Sequence, residues 1–338
     1  MVFIILSDNC IKRGGDHDNS GRNGHESTNA IKRVSRAQKG NICSKVNHNF
    51  QMTDDYIARS AQLALLLEVS AYPKPGNVDR THDFTDTSYE HFIASSVAVY
   101  PVLREAAAGV LGVGELIRAG VEESMTWQRG GNTHFGALLL LMPLTMAAGA
   151  CERSDLQELK SKADEIMRNT GVDDAIEVYK AFSTGKVKVR RDVPEFDVMA
   201  EDSLNKIRVK GLSLYEILTI SASYDLISRE LVGGFEKTFG CAVHLNDFAD
   251  AGNINEAISH AYLWLLSETE DTFVKMGFGA ETSRYVQERA KAIVTGGYEH
   301  NEIEEFDEEL IRDGINPGST ADIIAAALFI AILGGLRF

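Results

Sequence analysis

The sequence predicts an all-α fold, and three observations support this prediction. Apolar residues recur at helical spacing from Asp54 almost to the C-terminus. Stretches rich in glycine and proline fall between these periodic segments, as expected for loops that join helices. Only residues 187–190 alternate like a strand, and that run is short. We therefore expect a single-domain bundle of about ten helices.

The N-terminal part of the chain differs from the rest in composition. Residues 16–49 are mostly Gly, Asn, Ser, Asp, His and Lys, with few branched apolar side chains. Such a segment buries too little apolar surface to offset the entropy of ordering. We predict a disordered leader over residues 1–51, which a misassigned start codon would also explain, followed by one helical domain over residues 52–338.

Charge and cysteine content exclude several classes of protein. The first 50 residues carry eight basic and four acidic side chains, whereas the remainder carries 26 basic and 45 acidic ones. A body this acidic argues against a general nucleic-acid-binding protein, since phosphate contacts need a basic face. The four cysteines are widely spaced, which fits reduced thiols in a cytoplasmic protein better than structural zinc or a disulfide framework.

The periodic segments define the predicted helices in chain order. They cover residues 54–69, 91–108, 113–118, 135–148, 156–167, 173–182, 214–230, 254–266, 282–293, 303–312 and 319–333. The two longest apolar runs, residues 135–150 and 323–336, are shorter than the roughly 20 residues that span a bilayer. We read them as buried helices and expect no membrane association. Pro143 should kink the first of them, and the acidic run 299–309 should form a solvated helix face.

The first chemically rich loop is YPKPGNVDRTHDFTD, at residues 72–86. Pro73 and Pro75 stop the preceding helix and hold Lys74 in an extended segment. Gly76 then lets the chain turn close to a ligand. The alternative is a helix stop followed by a solvated turn.

The same loop carries side chains suited to a metal-bound phosphate. Lys74 and Arg80 suit phosphate, while Asp79, Asp83 and Asp86 offer the oxygen ligands that Mg²⁺ prefers. We therefore predict phosphate or Mg²⁺ binding at this loop.

The second loop, GGNTHFG at residues 130–136, precedes the most apolar predicted helix. Asn132 or Thr133 can cap that helix, whose free N–H groups form an anion site. His134 would be a proton donor or a packing residue. A capped, buried helix without function is an equally good interpretation.

The third loop is DGINPGSTAD, at residues 313–322. Ser319 or Thr320 can cap the following helix, and Asp322 in its first turn is favourable there without any function. Glu68 and Asp313 flank two of the loops. Each could complete a metal site or be an ordinary surface charge. Two arginines in RRDVPEFDV, residues 190–198, could also reach a phosphate.

These motifs resemble the triphosphoribosyl-dephospho-CoA synthases, the CitG family. YPKPGNVDR at 72–80, GGNTHFGA at 130–137 and NPGSTAD at 316–322 occur in the order and rough spacing of that family, over about residues 55–335. The resemblance implies an all-α enzyme that transfers the triphosphoribosyl group of ATP to 3′-dephospho-CoA and releases adenine. A GIRGEA-like segment and the arginine of a DTN…HRGG-like segment are missing, which is typical of a divergent, archaeal-type branch and leaves the acceptor open.

The resemblance also implies roles for individual residues. The carboxylates would hold Mg²⁺, and the basic side chains would clamp the triphosphate. Asp322 or Glu68 would be the base, and His134 the acid that protonates adenine. The predicted metal ligands are Asp79 and Asp83. The predicted nucleotide-binding residues are Lys74, Gly76, Arg80, Asn132, Thr133 and Ser319. The predicted catalytic residues are Asp79, His134, Asp322 and Glu68.

Two other functions compete with this one. His82 and Asp83 form the HD pair of a metal-dependent phosphohydrolase, but that fold needs an upstream histidine, and here the upstream histidines lie only in the predicted leader. A non-catalytic helical sensor would bind ATP and release no adenine. Either function would involve small-molecule ligands. The sequence is compatible with a monomer and with a homo-oligomer.

Overall fold

A computed structural model describes residues 52–152, 155–185 and 203–338. The described residues form helices and no strand, which confirms the all-α prediction. The helices are α1 (Asp54–Ser70), α2 (Tyr89–Ala98), α3 (Tyr100–Ala108), α4 (Val113–Thr126), α5 (Phe135–Ala150), α6 (Leu156–Arg168), α7 (Val172–Thr184), α8 (Ser203–Lys210), α9 (Leu214–Ser221), α10 (Leu226–Val232), α11 (Glu236–Ala251), α12 (Ile254–Glu268), α13 (Thr272–Phe278), α14 (Ala280–Gly296), α15 (His300–Asp313) and α16 (Gly318–Leu333).

The expected number of about ten helices is wrong, since the described ranges contain sixteen. The predicted helix at 91–108 is two helices, because Pro101 lies at the start of α3, where its missing N–H is tolerated. The predicted helix at 214–230 breaks after Ser221, and the Asp225 side chain caps α10 through the backbone N–H of Ser228, at 2.8 Å. Three helices, α8, α11 and α13, were not predicted.

Two apolar helices form the centre of the molecule. Helices α5 and α16 are buried on all sides, as their apolar runs predicted. They pack against each other, α1 packs against both, and α11 packs against α16. Helix α5 continues through Pro143 to Ala150. Burial of these helices supplies the main driving force for folding.

The N-terminal ends of α5 and α16 lie at one side of this core, beside the end of α1. The three chemically rich loops meet there, because each is joined to one of these helices. No helix in the parts of the chain that the structure covers has the length and apolar character needed to cross a bilayer. The predicted leader, the strand at 187–190 and the arginine-containing stretch at 190–198 lie outside the described residues.

Candidate active site

The three loops line a common pocket of about 400 Å³, here called the central pocket. Its inner wall consists of side chains that are buried or partly exposed, from α1, α2, α5 and α16 and the segment before α5. Its rim consists of exposed residues from the first and third loops. The inner-wall residues used below are Glu68, Phe92, Asn132, Thr133, His134 and Asp322, and the rim residues are Asp83, Asp86, Arg312 and Asp313.

The segment before α5 places three predicted residues on the inner wall. The Asn132 side chain accepts a hydrogen bond from the backbone N–H of Phe135, at 2.9 Å, but His134 occupies the N-cap position of α5, where neither Asn132 nor Thr133 was found. The hydroxyls of Ser95 and Thr133 are 2.7 Å apart, and the His134 Nδ1 lies 2.8 Å from the same Ser95 oxygen. Asn132 Nδ2 and His134 Nε2 are buried and have no hydrogen-bond partner among the residues that the structure describes. Two polar atoms are thus available to a ligand.

The His134 imidazole is held in its neutral form. Burial lowers its pKa to about 3, and the positive charge of Lys74 adds to the effect. The edge of the imidazole packs against the Phe92 ring, with ring centroids 5.0 Å apart. A neutral imidazole can accept or donate a hydrogen bond, but it is a poor proton donor at neutral pH.

Asp322 occupies the N-terminal end of α5. Its carboxylate accepts the backbone N–H of Ala137, and a Cβ atom at Gly136 would lie 2.0 Å from its Oδ2. The sequence predicted an anion site at this helix end, and a carboxyl group of the protein itself lies there. Burial, together with the negative charge of Glu68, raises the pKa of Asp322 well above its ordinary value.

Lys74 and Glu68 form a buried ion pair beside the pocket. Lys74 Nζ donates to Glu68 Oε1 at 2.5 Å and to Asn77 Oδ1 at 3.1 Å, and no part of the lysine side chain is exposed. Burial raises the pKa of Glu68, although the lysine opposes that effect. Glu68 and Asn77 line the pocket, whereas Lys74 lies behind them.

A buried carboxylate ties the third loop to its neighbours. Asp271 Oδ2 accepts both the backbone N–H and the hydroxyl of Thr320, at 2.8 and 2.7 Å. Its Oδ1 accepts the backbone N–H groups of Phe273 and Val274 at the start of α13. The segment 271–278 thus supports the pocket, and Phe273 and Phe278 line it.

The rim is strongly acidic. Among the described rim residues, Asp83, Asp86 and Asp313 carry carboxyl groups, and Arg312 is the one with a basic side chain. The Arg312 Nε lies 3.4 Å from Asp313 Oδ1. A polyphosphate would be repelled by such a rim unless cations accompanied it.

Four predicted residues besides Lys74 lie outside the pocket lining. Arg80 is exposed and donates to Asn255 Oδ1 at 3.1 Å. Gly76 has φ +75°, and its N–H donates to Asp307 Oδ1 at 2.9 Å. The Ser319 hydroxyl is buried, 3.4 Å from that of Thr272. Asp79 is fully buried, whereas Asp83 is an exposed rim residue whose Oδ1 accepts the backbone N–H of Tyr89 at 2.8 Å.

The sequence missed two charged residues near these loops. Asp307 was assigned to a solvated face, which is wrong for this residue because its side chain is fully buried against the first loop. The signal was available: Asp307 follows Phe306 and lies four positions after Ile303, on the buried side of α15. Arg312 on the rim was read only as the end of a helix.

The comparisons with known proteins agree on one family. The CitG family model, described as ATP:dephospho-CoA triphosphoribosyl transferase, matches residues 54–337. A 2-(5''-triphosphoribosyl)-3'-dephosphocoenzyme-A synthase of Klebsiella pneumoniae is 25% identical over 303 residues, covering 83% of this chain and 91% of that protein. A Pseudomonas putida protein provisionally given the same name is 25% identical over 300 residues, covering 83% of this chain and 96% of the relative.

A solved structure has a similar fold. This is a crystal structure from Archaeoglobus fulgidus, provisionally named as a triphosphoribosyl-dephospho-CoA synthase, with a TM-score of 0.60 and 31% sequence identity. The match covers 73% of this chain and 100% of the other.

Proposed function

Since this chain belongs to the CitG family of ATP:dephospho-CoA triphosphoribosyl transferases, and is a transferase of that class, we propose that the central pocket is its active site. One observation carries the proposal. Three motifs that are far apart in the sequence, at 72–80, 130–137 and 316–322, contribute residues to one pocket. The acceptor that we propose is 3′-dephospho-CoA, as the family description states.

The reaction sets clear chemical requirements. The bond between C1′ of the ATP ribose and the adenine nitrogen breaks, and a bond forms between C1′ and the 2′-oxygen of the acceptor. A proton leaves the acceptor hydroxyl, and a proton ends on adenine. The site therefore needs a proton acceptor, a proton donor and negative charge near C1′, which becomes positive in the transition state.

The carboxyl groups on the inner wall supply these functions in our proposal. The pKa of Asp322 is raised well above its ordinary value, so in this proposal its carboxyl group carries the proton that passes to the departing adenine. Glu68 is held by Lys74, and its raised pKa makes it a better base for the acceptor hydroxyl. Both groups line the pocket, where the negative charge of Glu68, and that of Asp322 as its proton passes to adenine, favours a developing cation.

His134 and Asn132 have a different role in this proposal. The lowered pKa of His134 argues against the acid role that the resemblance implied. Its free Nε2 and the free Nδ2 of Asn132 are instead placed to hydrogen-bond a planar heterocycle such as adenine. Buried polar atoms of this kind discriminate strongly against ligands that leave them unpaired.

We propose that the rim receives the triphosphate with Mg²⁺. Asp83, Asp86 and Asp313 are exposed there, and carboxylate oxygens are the ligands that Mg²⁺ prefers. The ion would neutralise phosphate charge that the acidic rim would otherwise repel. Arg312 would contact a phosphate oxygen directly.

The direct test is an assay of adenine release. The purified protein is incubated with ATP and Mg²⁺, with and without 3′-dephospho-CoA, and adenine and the nucleotide product are identified by chromatography and mass spectrometry. The proposal expects adenine only with the acceptor, and a product whose mass equals that of dephospho-CoA with the triphosphoribosyl group added. No adenine under any of these conditions, despite ATP binding, would favour the sensor.

The phosphohydrolase alternative has little support. His82 and Asp83 do not face a common point, since the His82 ring faces Asp307 and Asp83 lies on the rim. Release of inorganic phosphate from ATP in the absence of an acceptor would support the phosphohydrolase alternative.

A further inference from the structure

A second cluster of ionisable side chains lies next to the central pocket but outside its lining. Asp79 and His82 come from the first loop, and Asp307 comes from α15, more than 200 positions later. One possible ligand atom from each residue lies within 4.8 Å of the others. The proposed function uses none of these three side chains.

Each of the two carboxylates uses only one of its oxygens within the protein. Asp79 Oδ1 accepts the backbone N–H of Thr81 at 2.7 Å, its hydroxyl at 2.6 Å and the backbone N–H of His82 at 3.0 Å. Asp307 Oδ1 accepts the N–H of Gly76. Within the described part of the chain, the Oδ2 atoms of both carboxylates are buried and accept no hydrogen bond, and both side chains are 0% exposed.

Two unsatisfied carboxylate oxygens in one buried place are costly. A buried polar atom without a partner costs about 1–3 kcal/mol, and more when it is charged. The Lys74 ammonium is bonded to Glu68 and Asn77. Among the described residues, the basic group left to face the two carboxylates is the His82 imidazole.

His82 supplies a third ligand and a path from solvent. Its Nδ1 lies 3.3 Å from Asp307 Oδ2 and 3.8 Å from Asp79 Oδ1. The His82 side chain is 27% exposed, so an ion could enter past the imidazole and keep water ligands on its open side. Two carboxylates and one imidazole favour a first-row transition metal over Mg²⁺ or Ca²⁺, which prefer oxygen ligands alone.

We propose that Asp79, His82 and Asp307 bind a divalent transition-metal ion such as Mn²⁺ or Zn²⁺, which fastens the first loop to α15. The same loop supplies Asn77, Asp83 and Asp86 to the pocket, so the ion would fix one wall of the active site from behind. This site is separate from the Mg²⁺ that accompanies the triphosphate. It does not depend on the proposed transferase reaction.

The experiment measures metal binding without any nucleotide. The full chain is stripped with a chelator, dialysed into a millimolar excess of Mg²⁺ to occupy hard-oxygen sites, and titrated with Mn²⁺ under electron paramagnetic resonance, with Zn²⁺ as competitor. We expect one tightly bound Mn²⁺ per chain, displaced by Zn²⁺. We also expect Mn²⁺ to raise the melting temperature, since a ligand of the folded state stabilises it.

Variants locate the ion. His82→Gln should weaken Mn²⁺ binding on the order of tenfold or more and abolish the thermal shift. Asp307→Asn keeps an oxygen for Gly76 and removes the charge, and it should have the same effect. Glu308→Gln makes the same kind of change at the next, exposed position of α15 and should bind Mn²⁺ like the parent.

Circular dichroism checks that each variant is folded. The proposal is overturned if the parent binds no more Mn²⁺ than folded His82→Gln, because a proton shared by the carboxylates would then satisfy them. It is also overturned if Glu308→Gln loses binding to the same extent. Adenine release is not measured in this experiment. A negative metal-binding result therefore leaves the transferase proposal intact, and a negative adenine-release result leaves the metal-site proposal intact.

Discussion

Asp322 lies against Gly136 so closely that a Cβ atom at position 136 would be 2.0 Å from Asp322 Oδ2. The glycine thus allows the carboxyl group of α16 to reach the backbone N–H at the start of α5. Gly136→Ala should displace Asp322, cost roughly 1–3 kcal/mol of stability, and lower kcat on the order of 100-fold. Steady-state assays and urea unfolding measure the two effects.

Gly240→Ala is a matched control for that change. It is also a glycine inside a helix, but its added Cβ would make an ordinary contact, 3.6 Å from the Trp264 ring. It should keep full activity and be neutral or up to about 1 kcal/mol more stable. Equal activity in Gly136→Ala and the parent would contradict the role given to Asp322.

The Lys74–Glu68 pair, besides holding the proposed base, should contribute to stability. Lys74→Met leaves the Glu68 carboxylate buried without its partner, and breaking such a pair typically costs about 3–5 kcal/mol. The double variant Lys74→Met with Glu68→Gln should recover part of that loss. A double-mutant cycle by urea unfolding measures the coupling, and strictly additive effects would show that the two groups do not interact.

His134 should make stability depend on pH. Its pKa is about 3 in the folded protein and 6.5 ordinarily, so below pH 6.5 the unfolded state binds the additional proton. Stability from this group is fully present above pH 6.5 and falls as the pH drops towards 3. At pH 5.5 the loss is about 1.4 kcal/mol.

His134→Asn removes this dependence and leaves the other groups in place. The free energy of unfolding of the parent should therefore fall more steeply than that of the variant between pH 7.5 and 5.5. Parallel pH profiles would contradict a buried, neutral His134.

Arg312 should affect ATP binding rather than chemistry. Arg312→Gln removes the basic side chain on the described rim, so we expect KM for ATP to rise about tenfold with little change in kcat. The contribution of Arg312 to ATP binding should become smaller at high salt concentration. Arg284→Gln, an exposed arginine on α14, is the control and should change neither constant. A loss confined to kcat would instead place Arg312 near the reacting atoms.

The helical pattern and the loop motifs predicted much of this molecule. Apolar periodicity located α1, α5, α12 and α16 closely, because each buries a continuous face. It failed for α11, where Gly240 and several polar residues interrupt the apolar pattern although the helix packs on α16. It also failed at Pro101 and Asp225, where local capping divides what looks like one helix.

The site was predicted in its motifs but not in its contacts. The sequence identified Glu68, Asn132, His134 and Asp322, which all line the pocket. Sequence spacing cannot show that Asp322 caps a distant helix. Nor can it show that Asp307 turns inward to the first loop, because both contacts depend on tertiary packing.

The most direct test of the central claim compares adenine release by the parent, Asp322→Asn and Asp250→Asn, with ATP, Mg²⁺ and 3′-dephospho-CoA. The last variant makes the same change at an exposed position of α11. The account predicts that the parent and Asp250→Asn release adenine at equal rates, and that Asp322→Asn, still folded and still binding ATP, is slower by about 10²–10⁴-fold. Equal rates in all three proteins would contradict the assignment of the central pocket as the active site.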